Sequence, residues 1–328
     1  MSGAGLSAEA LRLDAAGAVD RICESIRGTV LRELRRKGVV LGLSGGIDSS
    51  VVASLCARAL GKERVFALLM PERESSSDST DLGQQVARHL DVSSTVEDIT
   101  PMLEAAGCYR RRNESIREVI PEFRDDYRCK ITLPGLFESS SYRIFTVIAE
   151  APDGHRLSAR LTPGAYRGVV AATNFKQRIR KMLEYFHADR LNFAVAGTPN
   201  RLEYDQGFFV KNGDGAADLK PIAHLYKTQV YQLAEHLGIP EEIRRRPPST
   251  DTYSLSQSQE EFYFSVPYWQ MDLCLFGLNQ KLDAGVVAEA TGLSAEQVER
   301  VYRDILAKRA ATRYLHMAPV LVEPIREV

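Results

Sequence analysis

The sequence predicts an α/β protein built on a doubly wound parallel sheet, with a small antiparallel β insertion and C-terminal helices. Three observations lead there. Short apolar runs alternate with amphipathic stretches in the order β-α-β-α-β near the N-terminus, and the alternation resumes after residue 170. Between the two stretches the pattern changes to period-two alternation around a PDG bend, which belongs to antiparallel strands. The 328 residues suffice for one large domain carrying an appendage.

Taken in order, residues 7–37 read as one long amphipathic helix with Leu11, Val19, Ile22, Ile26, Val30, Leu31 and Leu34 on its apolar face. GVVLGLS (38–44) is a short apolar run that suits a buried parallel strand. DSSVVASLCARALG then reads as a helix that opens on small polar residues and ends at Gly61. RVFALLM is a second strand, DSTDLGQQVARHLD a second helix with an Asp/Ser start, and SSTVEDIT a third strand. YRCKITLPG and YRIFTVIAEAPDGHRLSARLTPG form the insertion, at about 125–165. NFKQRIRKMLEYFHADR (helix), LNFAVAGT (strand) and LYKTQVYQLAEHLG (helix) resume the α/β pattern.

RRRPPSTDTYSLSQSQ is too long for a casual connection. A helical pair, GVVAEATGLSAEQVERVYRDILAKRAATR, occupies about 280–315. Its ATGLSAEQVERV has the cadence of a DNA-reading helix-turn-helix. No basic stripe accompanies it, so two packed helices is the simpler reading. The whole chain, 1–328, reads as a single domain with these two additions.

Composition narrows the function classes. Apolar residues make up 44% and charged residues 26%, with 42 basic and 43 acidic side chains and a formal net charge of −1. No global field attracts nucleic acid or an anionic membrane, so anion binding has to be local. No apolar run approaches the ~20 residues that span a bilayer, and the N-terminus lacks the basic start and apolar core of a signal peptide. Five scattered cysteines (Cys23, Cys56, Cys108, Cys129, Cys274) contain no CxxC, which points to reduced, buried thiols in the cytoplasm.

The turn SGGIDSS (44–50), between an apolar strand and a helix, carries the first chemical signal. Consecutive backbone N–H groups at a helix N-terminus hold phosphate oxygens, aided by the helix dipole. Gly45 and Gly46 let the backbone come close, and Ser44, Ser49 and Ser50 add hydroxyls. Asp48 would repel a phosphate by itself. It reads equally as a helix cap or as a ligand of a divalent cation placed between carboxylate and phosphate.

These residues carry a resemblance. SGGIDSS after an apolar strand resembles the pyrophosphate loop of the N-type ATP pyrophosphatases, which cleave ATP between its α and β phosphates. A second block, AGTPNRLEYDQGFFVKNGDGAADLKPIAHLYKTQVYQLAEHLGIPEEIRRRPPSTD, is similar along its length to the NAD synthetase family, ammonia-dependent type. It carries Gly197-Thr198, Glu203, Gly207-Phe208-Phe209-Val210-Lys211, Gly213-Asp214-Gly215, Asp218, Lys227 and Pro248-Ser249. Upstream, NFKQRIR resembles the family's Asn-x-x-x-Arg-x-Arg helix and supplies Arg178 and Arg180.

The resemblance implies an ATP site made by Gly42, Leu43, Ser44, Gly45, Gly46, Ile47, Asp48, Ser49 and Ser50, completed by Thr198, Lys227 and Ser249. It implies Mg²⁺ on Asp48 and Glu203, catalysis centred on Asp48 and Lys227, and contacts from Arg178, Lys211 and Asp218 to nicotinic acid adenine dinucleotide. Taken singly, Lys227 also reads as a solvated helix residue and Asp218 as a turn former. The implied reaction adenylates the nicotinate carboxylate with ATP and then amidates it with ammonia, giving NAD, AMP and pyrophosphate. No nucleophilic side chain is needed. The six histidines (His89, His155, His187, His224, His236, His316) show no metal-ligand spacing.

The chain has no room for a glutaminase domain, so ammonia arrives free or from a separate partner protein, and the family's homodimer is expected. The sequence departs from the family pattern in three places: the insertion; QEEFYFSVPYWQMD in place of an acidic stretch; and ATRYLHMAPVL, which lacks a clear counterpart of the family's His-Lys pair and offers Arg313 or His316 as candidate substitutes. These departures leave open an amide ligase of the same fold acting on another carboxylate or amine. A nucleotide-binding protein without catalysis is a third reading, and it would bind ATP yet release no pyrophosphate.

Overall fold

The computed structural model describes residues 6–137, 144–248 and 252–325. Its centre is a four-stranded parallel sheet of β1 (Val39–Gly42), β2 (Val65–Leu69), β3 (Ser93–Val96) and β7 (Ala194–Val195), in the order β3-β2-β1-β7. β1 has neighbours on both sides, with Val39 opposite Val65 on one and Ala194 on the other. That explains its continuous run of buried Val39, Val40 and Leu41. Alternate residues serve opposite faces. Val39 and Leu41 meet α1 (Ala15–Arg27), α2 (Ile47–Leu60), α3 (Ser77–His89) and α8 (Lys227–His236). Val40, Leu68 and Val195 meet α4 (Thr100–Ala105), α5 (Cys108–Arg117) and α6 (Pro163–Leu191). Each fully buried aliphatic side chain in these layers contributes about 1.5–3 kcal/mol of transfer free energy.

The doubly wound expectation holds, with local corrections. The N-terminal helix is not continuous over 7–37. A 3-10 turn covers Ala8–Leu11, and the Asp14 side chain accepts the Gly17 amide at 3.1 Å and starts α1 afresh. After Arg27 the chain widens into a π turn, Gly28–Glu33, so the apolar face ends at Val30 while Leu31 and Leu34 stand exposed. The predicted strand LNFAVAGT contracts to two residues, with a bridge from Ala196 to Leu219.

The insertion is a three-stranded antiparallel sheet, β4 (Arg128–Thr132), β5 (Thr146–Glu150) and β6 (Arg156–Arg160), in the order β4-β5-β6. The PDG bend closes the β5–β6 hairpin through Ala151 N to His155 O at 2.9 Å, with Gly154 at φ 85°. The insertion's expected end, LTPG, is helical. Thr162 accepts the Ala165 amide at 3.1 Å and Pro163 takes the first helical position, so α6 starts well before Asn174. The inner face of the sheet (Cys129, Ile131, Val147, Ala149) packs on Ile116 of α5 and on Ala165 and Val169 of α6.

A further apolar cluster joins α7 (Arg201–Gln206), α10 (Tyr268–Asn279), α11 (Ala284–Thr291) and α12 (Ala295–Thr312). The would-be helix-turn-helix is thus a packed pair that buries Val287, Val298, Val301 and Ile305. All five cysteines are buried free thiols. Among the described residues no helix is long and apolar enough to cross a membrane.

Candidate active site

From β1 the chain winds outward through β2 and β3 and later places β7 on the opposite side of β1. The order reverses between β1 and β7, and a crevice opens beyond the carboxyl ends of strands at such a point. A cleft of about 270 Å³ lies there, walled by the SGGIDSS turn, Thr198, Glu203 and Lys227 on one side and by Gln177, Arg180, Lys181 and Glu184 of α6 on the other.

Gly42, Leu43, Ser44, Gly46, Ile47, Asp48 and Ser49 line this cleft. The first-turn amides of α2, which a helix leaves without internal acceptors, lie at Ile47 and beyond. Gly45 and Ser50 act differently from expectation. Gly45 has φ 73°, and a Cβ there would lie 2.7 Å from the Ser79 carbonyl oxygen, so it lets the turn close on α3. Ser50 is fully buried and donates to Gly46 O at 2.8 Å, bracing the loop from below. Gly42 is needed for proximity: a Cβ there would stand 3.1 Å from Glu184 Oε1. The expected role of Ser249 falls outside the described residues.

Three charged groups converge at the base. The Lys227 ammonium bonds Asp48 Oδ2, and Asp48 Oδ1 accepts from Asn200 Nδ2 at 3.3 Å. Asn200 also caps α7. Its Oδ1 accepts the Leu202 and Glu203 amides at 2.9 and 3.3 Å, and its own amide donates to Glu203 Oε2 at 3.1 Å. One asparagine therefore fixes both carboxylates. Gln259 Nε2 donates to Glu203 Oε1 at 3.3 Å. Lys227 is held from beneath by Asp272 of α10, which accepts the Lys227 and Thr228 amides at 3.1 and 2.7 Å.

The electrostatics follow from this packing. Desolvation, and then the Asp48 charge, push Glu203 up to about 8 against the pull of Lys227. Burial by itself would lower the Lys227 pKa, but Asp48 and Glu203 outweigh it and the net shift is upward. Burial raises Asp272 to about 6. Glu203, raised by burial and by the Asp48 charge, lies beside a turn whose helix-start amides suit an anion, an environment in which a divalent cation would be welcome. Among the described residues no three His, Cys, Asp or Glu side chains cluster as a metal site. A cation here would thus take protein oxygens from Asp48 and Glu203 and the rest from substrate phosphates and water.

The facing wall holds a buried Lys181–Glu184 pair at 2.5 Å and Asp214, whose Oδ1 accepts the Val210 amide at 2.7 Å. Burial raises both Glu184 and Asp214. Behind this wall, Lys176 bonds Glu72 and Glu74 at 2.7 and 2.8 Å, and Arg112 grips both oxygens of Glu74. This network fixes the turn after β2 that carries Pro71 and Ser75 into the cleft.

The predicted dinucleotide contacts do not reach the cleft. Arg178 Nε donates to Lys211 O at 3.4 Å on the outer side of α6, and Lys211 Nζ donates to Tyr314 O at 2.8 Å. Asp218 Oδ2 accepts the Val195 amide at 2.7 Å and steadies the end of β7. The sequence reading missed Asn200, although NRLE carries the capping-box spacing before Glu203. Gln259 and Asp272 are the two ends of QEEFYFSVPYWQMD, which the sequence reading singled out as a departure from the family pattern without giving either residue a role.

The family model described as NAD synthase matches residues 18–122 and 156–312, leaving out the first two inserted strands. The NH(3)-dependent NAD(+) synthetase of Rhizobium meliloti (strain 1021) is 59% identical over 322 residues, which is 98% of this chain and 96% of that relative. Among solved structures, the NMN synthetase from Francisella tularensis has a TM-score of 0.65 at 22% identity, covering 94% of this chain and 99% of that one. The NH3-dependent NAD synthetase from Campylobacter jejuni subsp. jejuni NCTC 11168 has a TM-score of 0.62 at 24% identity, covering 95% and 100%. At those identities the solved structures show the fold alone, while the matched family model spans the cleft and its charged base. The chain belongs to the NAD synthase family.

Proposed function

We propose that this protein is an ammonia-dependent NAD synthetase whose chemistry runs in the cleft between β1 and β7. The observation that carries this reading is the convergence of the SGGIDSS amides, Lys227, Asp48 and Glu203 on one cleft. The nicotinate carboxylate of nicotinic acid adenine dinucleotide attacks the α-phosphorus of ATP, and pyrophosphate leaves with the electron pair of the broken P–O bond. Ammonia then adds to the acyl carbon, loses a proton and expels AMP, leaving the amide of NAD.

Both reactants of the first step are anions, so the protein has to align them and neutralise charge. The α2 amides and Lys227 hold the phosphates. Asp48 and Glu203 would hold Mg²⁺, which supplies positive charge to the phosphate oxygens. Asn200 keeps both carboxylates in place. Arg178, Lys211 and Asp218 are assigned to the dinucleotide from the motif positions they occupy, and the adjacent Arg178 and Lys211, outside the cleft, suit contacts away from the reacting carboxylate. Free ammonia, or ammonia handed over by a separate protein, is the nitrogen source. A homodimer belongs to the same reading, and exposed Met182 and Phe186 on α6 give it apolar surface. Cytoplasmic residence suits the five unpaired buried thiols.

The test is to incubate the protein with ATP, Mg²⁺, ammonium and nicotinic acid adenine dinucleotide, following NAD, AMP and pyrophosphate. Equal, ammonium-dependent yields of the three are expected. Lys227→Met should lower kcat by about 10²–10³-fold with the circular dichroism unchanged. Pyrophosphate release with some other acid, and none with nicotinic acid adenine dinucleotide, would assign the scaffold to a different acceptor.

A further inference from the structure

Among the described residues none of the three inserted strands contributes a side chain to the cleft lining, yet the sheet is built onto the segment that does. β4 lies at the edge of its sheet, with unpaired backbone groups that need covering. Residues 254–257 cover them. Leu255 N donates to Cys129 O at 3.1 Å, Cys129 N donates to Ser254 Oγ at 2.8 Å, and Gln257 Nε2 donates to Ile131 O at 2.8 Å. Lys130 Nζ donates to Ser256 O at 3.3 Å and pairs with Glu261 at 2.7 Å. One residue earlier, Tyr253 is buried in the core under the sheet, and Lys176 Nζ donates to Thr252 O at 2.9 Å.

Two residues beyond this strap, Gln259 reaches Glu203. The Tyr268 hydroxyl donates to Gln259 Oε1 at 2.6 Å, which turns the amide so that Nε2 faces Glu203 Oε1 at 3.3 Å. A connection as long as the one from α9 (Glu241–Arg245) to α10 would otherwise lose considerable entropy each time it was ordered.

We propose that the inserted sheet is a positioning device for the active site: β4 holds residues 254–257 as a strap along its free edge, and that strap keeps Gln259 on the carboxylate of Glu203. Ser254 and Gln257 are positioning residues, acting on Glu203 through Gln259. The proposal rests on the reading of Glu203 as the cation-holding carboxylate.

The test uses the full-length enzyme and the double variant Ser254→Ala/Gln257→Leu, which cuts the side-chain ties and leaves the three strands whole. Hydrogen exchange at residues 252–262, kcat, and calorimetric binding of Mg²⁺ with the α,β-methylene analogue of ATP are measured together. Exchange should quicken by about tenfold or more. The kcat should fall by ~10-fold, with a comparable loss of Mg²⁺ affinity. Ser254→Thr, which keeps the hydroxyl, should restore the single Ser254 contribution. Gln259→Leu, with the strap intact, should reproduce the Mg²⁺ defect without faster exchange at Leu255, and the single variants Ser254→Ala and Gln257→Leu, each cutting one tie, decide the matter if the double variant does not fold. Faster exchange with unchanged kcat and Mg²⁺ affinity would reduce the sheet to a structural part, and unchanged exchange would mean that something else holds the strap; either overturns the proposal. If the wild-type enzyme forms no NAD, the functional reading fails while the exchange and calorimetric results still judge the positioning role.

Discussion

At Glu203 the local sequence and the tertiary structure pull in opposite directions. As the third residue of α7 it completes a capping box with Asn200, which any helix start rewards. The fold then sets it beside Asp48 in a poorly solvated cleft, where its pKa climbs from 4.5 to about 8. An acid with a raised folded pKa keeps a proton that the unfolded chain has released. Its stabilising contribution is therefore complete below about pH 4.5 and is lost as pH rises towards about 8. In the absence of divalent cation, Glu203→Gln should flatten the fall in melting temperature between about pH 5 and about pH 8, and at the upper end it should melt higher than wild type. Thermal melts of the two proteins across that range check this, and parallel curves would mean that Glu203 is ionised in the fold. Asp272, raised to about 6, titrates in both proteins and cancels in the comparison. Of these groups, Asp48 was legible in the local strand-turn-helix pattern, whereas Glu203 and Lys227 were legible only through the family resemblance of the block that carries them. Asp272 was not, since a carboxylate that caps α8 from α10 leaves no mark near Lys227.

At the scale of elements, the turn after β2, α5 and α6 are joined by charge rather than by apolar packing alone. Lys176 is buried between Glu72 and Glu74, and the Arg112 and Lys176 charges overcome burial to hold Glu74 down at about 2. Lys176→Met should cost about 3–5 kcal/mol in denaturant unfolding, because it leaves the buried Glu72 charge with hydrogen bonds from Tyr109 and the Glu74 amide but without its Lys176 cation, and takes one of two cations from Glu74. Lys176→Met/Glu72→Gln should recover a large part of that loss, whereas equal losses in the two variants would show that packing, not charge, holds the turn. The sequence hid this cluster because RES, YRRRN and FKQ look like ordinary solvated charge runs until β2, α5 and α6 are assembled. It hid the true start of α6 for a related reason. Val169 and Val170 sit among residues whose β-branching suggests strand, and their burial against the inserted sheet and α5 overrides that propensity. The break at Asp14 was open to a closer reading, since an aspartate three residues before Gly17 is a helix-start signature.

For the whole molecule, the reversal of strand order between β1 and β7 sets the place of the chemistry, and its charged base is braced from segments outside the cleft. Helix α10 supports Lys227 through Asp272, while the inserted sheet grips the strap that leads to Gln259. The periodicity of the sequence was enough to place the parallel core and the hairpin, but nothing in it tied β4 to a loop more than a hundred residues away. The most direct measurement of the central claim is an oxygen-tracing one, with nicotinic acid adenine dinucleotide labelled with ¹⁸O in its carboxylate, turned over with ATP, Mg²⁺ and ammonium. Attack by the carboxylate on the α-phosphorus predicts one labelled oxygen in the AMP and one retained in the NAD amide. NAD formed with unlabelled AMP, or with the label in pyrophosphate, would contradict an acyl adenylate built at the cleft of Asp48, Glu203 and Lys227.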